Sequence, residues 1–237
     1  MFGISGKLYI VGIGPGSKDF LTYKAVSTVE SVDIVIGSQR AVDLFDNINK
    51  AIVFNVKDLT DKLEESVDLV LEGSTVAVLS TGDPGFSGVL APIKRISNEK
   101  GLDLDFIVVV PGISSLQLAA ARNHINWDSA NIMTFHGREN ISDILDVINN
   151  GNKTIALPSR KVKDMAQFLL DNGVDGDRSV TVCERLSYDD ERVVHSCLKD
   201  IAESEFTYMC ILIIWFLFNL KFSSELFLLW LHLNQLF

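Results

Sequence analysis

Cysteine is scarce in this chain: Cys183, Cys197 and Cys210 are the only three in 237 residues. Their number is odd and no two stand in CxxC spacing, which excludes a disulfide framework and a structural zinc site and fits a reducing cytoplasm. Histidine is scarce too, with His124, His136, His195 and His232 as the full set of four. None forms HExxH or another ligand spacing, so no metal centre is expected. Only 5 prolines occur in a sequence that is 47% hydrophobic and 22% charged, a balance that excludes a disordered chain. Basic charge is in deficit, 21 Lys and Arg against 31 Asp and Glu for a net charge of −10. That balance opposes the phosphate attraction on which nucleic-acid binders depend, so no nucleic-acid partner is expected.

Long apolar runs are missing as well. Residues 209–220 (MCILIIWFLFNL) and 226–233 (LFLLWLHL) are strongly apolar, but Lys221, Ser223, Ser224 and Glu225 separate them. Neither reaches the roughly 18 to 20 residues that a membrane-spanning helix needs, so a membrane protein is not expected. At the other end, MFGISGKLYIVGIGPG closes its apolar stretch with glycines and lacks a signal peptide's basic region and small-residue cleavage site. The expectation at the C-terminus is a buried last strand over 206–214, followed by an atypical hydrophobic tail over 215–237.

What is present is an alternation. Residues 7–13, 33–37, 51–55, 75–80 and 105–110 are short β-branched runs, and 19–32, 58–72 and 92–100 carry apolar residues at helical spacing. Strands alternating with helices predict a parallel-rich α/β sheet. Pro111 and Gly112 then precede a helix expected over 114–122, with Ser114 or Ser115 at its N-cap. This marks the junction between an N-terminal lobe, 1–112, and a C-terminal lobe, 113–214. In the second lobe the runs 129–135, 154–157, 179–183 and 206–214 read as strands and 141–149 and 163–172 as helices, a mixed α/β arrangement.

Three of the strands end in small-residue loops: Gly12-Ile13-Gly14-Pro15-Gly16, Ser80-Thr81-Gly82-Asp83-Pro84-Gly85 and Pro111-Gly112-Ile113-Ser114-Ser115. Ligands of open α/β sheets sit beyond the carboxyl ends of the strands, so these loops are expected to line one cleft. A dinucleotide fingerprint is excluded for the first loop, because Ser17 stands where the third glycine belongs and Pro15 removes a backbone N–H. No loop ends in Gly-Lys-Ser/Thr, which excludes a Walker phosphate loop.

Taken together, VGIGPGSKDFLTYKAV (11–26), STGDPGFSG (80–88) and VPGISSLQLAAARN (110–123) resemble the tetrapyrrole (corrin/porphyrin) methylase family. Weaker matches follow at His136-Gly137-Arg138 and at CERLSYDDER (183–192), so the resemblance spans about 7 to 214. Within the family, Gly37-Ser38-Gln39-Arg40 and Gly85-Phe86 are most similar to the enzymes that methylate carbon 5 of cobalt-precorrin-7 in cobalamin synthesis. The resemblance implies a two-lobed α/β fold with S-adenosylmethionine held between the lobes, a homodimer, and a separate decarboxylating precorrin methyltransferase as pathway partner. It implicates Pro15, Gly82, Asp83, Pro84, Phe86, Ser114, Ser115, Leu157 and Leu186 in cofactor binding, with Pro15 and Asp83 in positioning. Other members act on other corrin carbons, on diphthine or on ribosomal RNA, and a nucleotide-sensing module without catalysis is the reading from another class.

A loop-built site suits this chemistry. A sulfonium methyl donor is already activated, so alignment with a carbon nucleophile can supply most of the acceleration, on the order of 7 to 11 kcal/mol in favourable cases. Asp83 is expected to orient the cofactor's polar end and not to act as a base. A corrinoid substrate carries carboxylates that an acidic protein does not attract, so local cations must meet them. Arg40, His136 and Arg138 are the candidates at the substrate, with Lys18, Arg160 and Lys161 as further cations. Glu184 and Arg185 are candidates for an internal ion pair.

Overall fold

The computed structural model describes residues 6–138, 140–159 and 161–216. Its first sheet is built from β1 (Leu8–Gly12), β2 (Ile34–Ser38), β3 (Ala51–Phe54), β4 (Val76–Ser80) and β5 (Ile107–Val110), in the order β3-β2-β4-β1-β5. Every pairing is parallel, with Ile10 opposite Val78 on one side and Val109 on the other. The connections are α1 (Tyr23–Ser31), α2 (Gln39–Val42), α3 (Leu59–Leu71) and α4 (Leu90–Lys100). Successive strand residues point to opposite faces. Leu8 and Ile10 join a core with Leu63, Val67, Ile93 and Ile96 of α3 and α4, while Val11 and Ile13 join another with Ala25 and Val29 of α1. Both faces are covered, which is why these strands are apolar throughout.

The helix expected over 19–32 starts later. Lys18–Phe20 form a separate 3-10 turn, and Thr22 caps α1 by accepting from the Ala25 N–H at 3.0 Å.

The second lobe opens with α5 (Ser115–Arg122) and adds β6 (Asn131–Thr134), α6 (Asp143–Val147), β7 (Thr154–Leu157), α7 (Val162–Asp171), β8 (Ser179–Glu184), β9 (Arg192–Cys197), α8 (Leu198–Glu203) and β10 (Cys210–Ile214). The sheet order is β6-β7-β10-β8-β9, with β6 and β7 parallel and the other neighbours antiparallel. β10 is the central strand and is buried along its whole length. Cys210, Leu212 and Ile214 face a core shared with α6, α7 and α8, and Ile211 and Ile213 face one shared with α5. The apolar run that begins at Met209 is thus explained as far as Ile214 by a strand buried on both faces.

Three elements were not expected from sequence: α2, β9 and α8. β9 (RVVHSC) is a partly exposed edge strand, so it shows no clean alternation. α8 has six residues, too few for a helical period to stand out, although Leu198, Ile201 and Ala202 are buried at helical spacing.

The boundary expected after Ile214 moves by at least one residue. The Trp215 N–H donates to the Ser179 carbonyl (3.1 Å), its indole Nε1 to Thr181 Oγ1 (2.9 Å), and its carbonyl accepts from Arg178 Nε (2.9 Å). Trp215, although beyond the last strand, is therefore tied to the second sheet. The rest of the expected tail, 217–237, lies outside the described residues, as does Arg160. Among the described residues no helix is long and apolar enough to cross a membrane.

Candidate functional site

β1, β4 and β5 end on the same edge of the first sheet, and their loops are locked together by main-chain contacts. The Ile13 N–H donates to the Ser80 carbonyl at 3.0 Å, and Gly14 and Gly82 exchange hydrogen bonds of 3.3 and 2.8 Å. At Gly112 a Cβ would lie 2.3 Å from the Gly82 carbonyl oxygen and 2.7 Å from the Gly12 carbonyl carbon, so no larger residue fits the crossing point. Asp83 closes the assembly. Its Oδ1 accepts from the Gly85 N–H (2.8 Å) and its Oδ2 from the Gly112 N–H (3.1 Å), fastening the second loop to itself and to the third. Carboxylate acceptors make stronger bonds than neutral ones, so a single side chain sets the relative placement of two loops.

Ser114 is the N-cap of α5 in a capping box: its Oγ accepts from the Leu116 N–H (3.3 Å) and its own N–H donates to Gln117 Oε1 (2.8 Å). Ser115 is the first residue of that helix, as the N-cap pattern predicts. Pro15 and Pro84 are buried in their loops. Phe86 packs on an apolar cluster with Leu157, Leu186 and Phe20, where residues of the first lobe meet those of the second. Motif residues from four separate stretches of chain, Phe20, Phe86, Leu116 and Leu186, thus meet in one apolar cluster where the lobes touch.

Further contacts join the two lobes. Ser87 Oγ meets Thr134 Oγ1 at the end of β6. Tyr188 packs on Gly16 so closely that a Cβ there would sit 2.3 Å from the phenol oxygen. Arg40, on α2, donates to Met209 Sδ and to Thr81 Oγ1, both at 3.4 Å, and lies 5.9 Å from the centre of the Tyr188 ring. His136 and Arg138 follow β6 and are exposed, with Arg138 3.7 Å from Asp143. Tyr188, Met209 and Thr81 were not singled out from sequence. Tyr188 stands in a motif stretch, but its partner Gly16 is far away in the chain, and nothing local to Met209 predicts its contact with Arg40.

Glu184 and Arg185 do not pair with one another. Glu184 accepts from Arg192 Nε at 2.7 Å and Arg185 Nε donates to both oxygens of Asp190, at 2.7 and 2.6 Å, because β8 ends at Glu184 and the chain turns at Arg185, whose φ is 50°. Burial pushes the Glu184 carboxyl up, but the Thr207 N–H and Arg192 outweigh it and hold it below its ordinary value of 4.5. The Arg122 guanidinium, aided by the Ser187 N–H against a smaller burial penalty, does the same for Glu191. Both depressed values mean stability that is fully present above about pH 4.5 and is lost as the pH falls through the lower folded-state values. Acid titration followed by near-ultraviolet circular dichroism is expected to show the second lobe loosening below that pH, and Arg122→Gln is expected to move the onset upward. Burial pushes the Cys183 thiol up to about 11 and the Cys210 thiol to about 12, so neither supplies a thiolate nucleophile.

A sequence model of the tetrapyrrole (corrin/porphyrin) methylases matches residues 7–202. The chain belongs to that family. It is 39% identical to a probable cobalt-precorrin-7 C(5)-methyltransferase of Methanocaldococcus jannaschii over 206 residues, covering 86% of this chain and 95% of the relative. Among solved structures it is similar to a precorrin-6Y methylase of Archaeoglobus fulgidus, with 25% identity, a TM-score of 0.65, and coverage of 89% and 98% of the two chains. A uroporphyrin-III C-methyl transferase of Thermus thermophilus, solved with S-adenosylhomocysteine, shares the fold at 23% identity, with a TM-score of 0.70 and coverage of 88% and 97%. This methylase is accordingly an S-adenosylmethionine-dependent methyltransferase with an α/β fold.

The residues present fit that donor. Phe86, Leu157 and Leu186 share one apolar cluster between the lobes, of the character a flat purine requires. Next to Leu186, Ser187 Oγ is buried without a hydrogen-bond partner, as befits a hydroxyl completed by a polar ligand.

Proposed function

We propose that this methylase transfers the methyl group of S-adenosylmethionine to carbon 5 of cobalt-precorrin-7 in cobalamin synthesis. The observation that carries the position is the 39% identity to a probable cobalt-precorrin-7 C(5)-methyltransferase across nearly the full length of both chains. The bound donor supplies an activated methyl group on sulfur. The protein's part is to orient it and exclude water, which the locked loops and the apolar cluster suit. In this reading Pro15, Gly82, Asp83, Pro84, Phe86, Ser114, Ser115, Leu157 and Leu186 surround the cofactor. Asp83 acts through the loops it fastens, and Arg40, His136 and Arg138 stand on the substrate side. The working form is a cytoplasmic homodimer, and a separate decarboxylating precorrin methyltransferase takes the product onward.

The test is incubation with cobalt-precorrin-7 and donor carrying an isotope-labelled methyl group, with the product read by mass spectrometry and nuclear magnetic resonance. One labelled methyl at carbon 5 is expected. Label at another ring carbon would correct the position, and no transfer to a corrinoid would overturn the reading. Asp83→Asn keeps the shape of the side chain but presents an N–H to one of two N–H donors. Calorimetric titration with S-adenosylhomocysteine is expected to show about a ten- to hundred-fold weaker affinity, the scale of one charge-assisted hydrogen bond. Unchanged affinity would remove Asp83 from the site.

A further inference from the structure

The cations near the cleft differ in how they are paired. Lys18 is held by Asp46, Arg122 by Glu191, Arg138 by Asp143 and Arg185 by Asp190. Among the described residues, Arg40 and the fully buried Arg178 are the two guanidiniums without a carboxylate partner in an ion pair. Arg40 instead reaches a thioether and a hydroxyl, both at 3.4 Å. A thioether sulfur is a weak acceptor for a guanidinium with five N–H donors. In a chain of net charge −10, an exposed arginine with no carboxylate within ion-pair distance among the described residues is poised for an anion from outside.

The surroundings of Arg40 are built, and they come from both lobes. Met209 stands just before β10, and its Sδ also lies 3.9 Å from Arg185 Nη1. Arg185 stacks on the Tyr188 ring at 4.7 Å from its centre, with Arg40 also close to that ring. The turn carrying Tyr188 has two residues other than glycine in the left-handed region, Arg185 (φ 50°) and Ser187 (φ 73°). Such a turn persists only where its surroundings over-determine it. Here the Arg185–Asp190 pair, the Ser187 N–H to Glu191 Oε2 bond (2.7 Å) and the Arg122–Glu191 pair do so. Tyr188 Oη is buried against Gly16 with no hydrogen-bond partner. Beside Met209, Tyr208 is 78% exposed.

We propose that Arg40 receives a peripheral carboxylate of the tetrapyrrole, with Tyr188, Arg185 and Met209 positioning its guanidinium at the interlobe cleft. The proposal deepens the corrinoid reading and rests on it. Arg138 and Arg185 each already face an aspartate, at 3.7 and 2.6 Å, whereas Arg40 faces none within ion-pair distance among the described residues. A guanidinium pairs bidentately with a carboxylate and much less well with an amide, so this subsite selects a substrate whose acid arms are free.

The test titrates the full chain, saturated with S-adenosylhomocysteine, with two probes: cobyrinic acid with its carboxylates free, and the same corrin with its carboxylates amidated. Binding is read from quenching of tryptophan fluorescence. The unaltered protein is expected to prefer the free acid by about tenfold or more, the range of a charge-assisted contact. Arg40→Gln should erase that preference while leaving affinity for S-adenosylhomocysteine unchanged, and Arg40→Lys should restore part of it. Tyr188→Ala should reduce the preference without matching loss of affinity for the amidated probe, which a merely structural role would not produce. Equal preference in the Arg40→Gln protein and the unaltered protein would overturn the subsite alone. Failure of both corrins to bind, with S-adenosylhomocysteine bound normally, would overturn the corrinoid reading and the subsite with it.

Discussion

Replacing Gly112 by alanine is expected to weaken binding of S-adenosylhomocysteine by about a hundredfold while leaving the second lobe folded. The added methyl would stand 2.3 Å from the Gly82 carbonyl oxygen and 2.7 and 2.8 Å from the Gly12 carbonyl carbon and Cα. All three are main-chain atoms, so no side chain can swing aside, and overpacking at such a point costs about 1 to 3 kcal/mol or more. Relief requires the third loop to withdraw, which breaks the 3.1 Å bond from the Gly112 N–H to Asp83 and shifts the Ser114 cap two residues later. A displacement of about 1 Å is enough to cost on the order of a hundredfold in a site that works by positioning. Gly173→Ala is the control. Its φ of +81° makes a side chain strained, but nothing lies within 4 Å of the added methyl, so a loss of about 1 kcal/mol of stability is expected with normal binding. Calorimetric titration and thermal melting of the two variants decide the matter, and normal cofactor affinity in Gly112→Ala would sink the account of the loop crossing.

The features legible in the sequence are those whose causes are local. β1, β4 and β5 are apolar runs cut off by glycine, because a parallel sheet covered on both faces has no polar side to show and its loops must pass close to one another. The cap of α5 was legible only as Ser114 or Ser115, and the structure decides for Ser114, with Gln117 three residues ahead completing a capping box. Asp83 was expected to orient the cofactor's polar end, whereas the two contacts that define its carboxylate are main-chain N–H groups, one of them 29 residues away. The Arg40–Met209 contact spans 169 residues and joins two lobes, so no periodicity or spacing encodes it. β9 stayed hidden because an edge strand lacks the strict alternation that burial on one face imposes.

Arg178→Met is expected to lower the melting temperature by about 10 °C or more, the scale of a loss of about 3 to 5 kcal/mol in a domain of this size. Arg178 is 1% exposed, and burial lowers its pKa against a smaller opposing pull from the Asp175 charge. Three acceptors hold it instead: the Trp215 carbonyl (2.9 Å), Asn149 Oδ1 (2.9 Å) and the Ile148 carbonyl. The guanidinium thereby ties the residues after α6 to the end of β10, the central strand of the second sheet. Methionine fills much of the space but satisfies none of the three acceptors, and each buried acceptor left alone costs about 1 to 3 kcal/mol. Arg178→Lys, which keeps the charge and some donors, should fall between the two. The same network fixes where the chain can be shortened. A stop after Ile214 removes the Trp215 carbonyl and its two donor groups, and is expected to melt nearly as low as Arg178→Met. A stop after Phe216 keeps all of them and is expected to spare this network. Equal melting of the two truncations would show that the Arg178–Trp215 tie does not carry the second lobe's stability, and that the lobe ends at Ile214 after all.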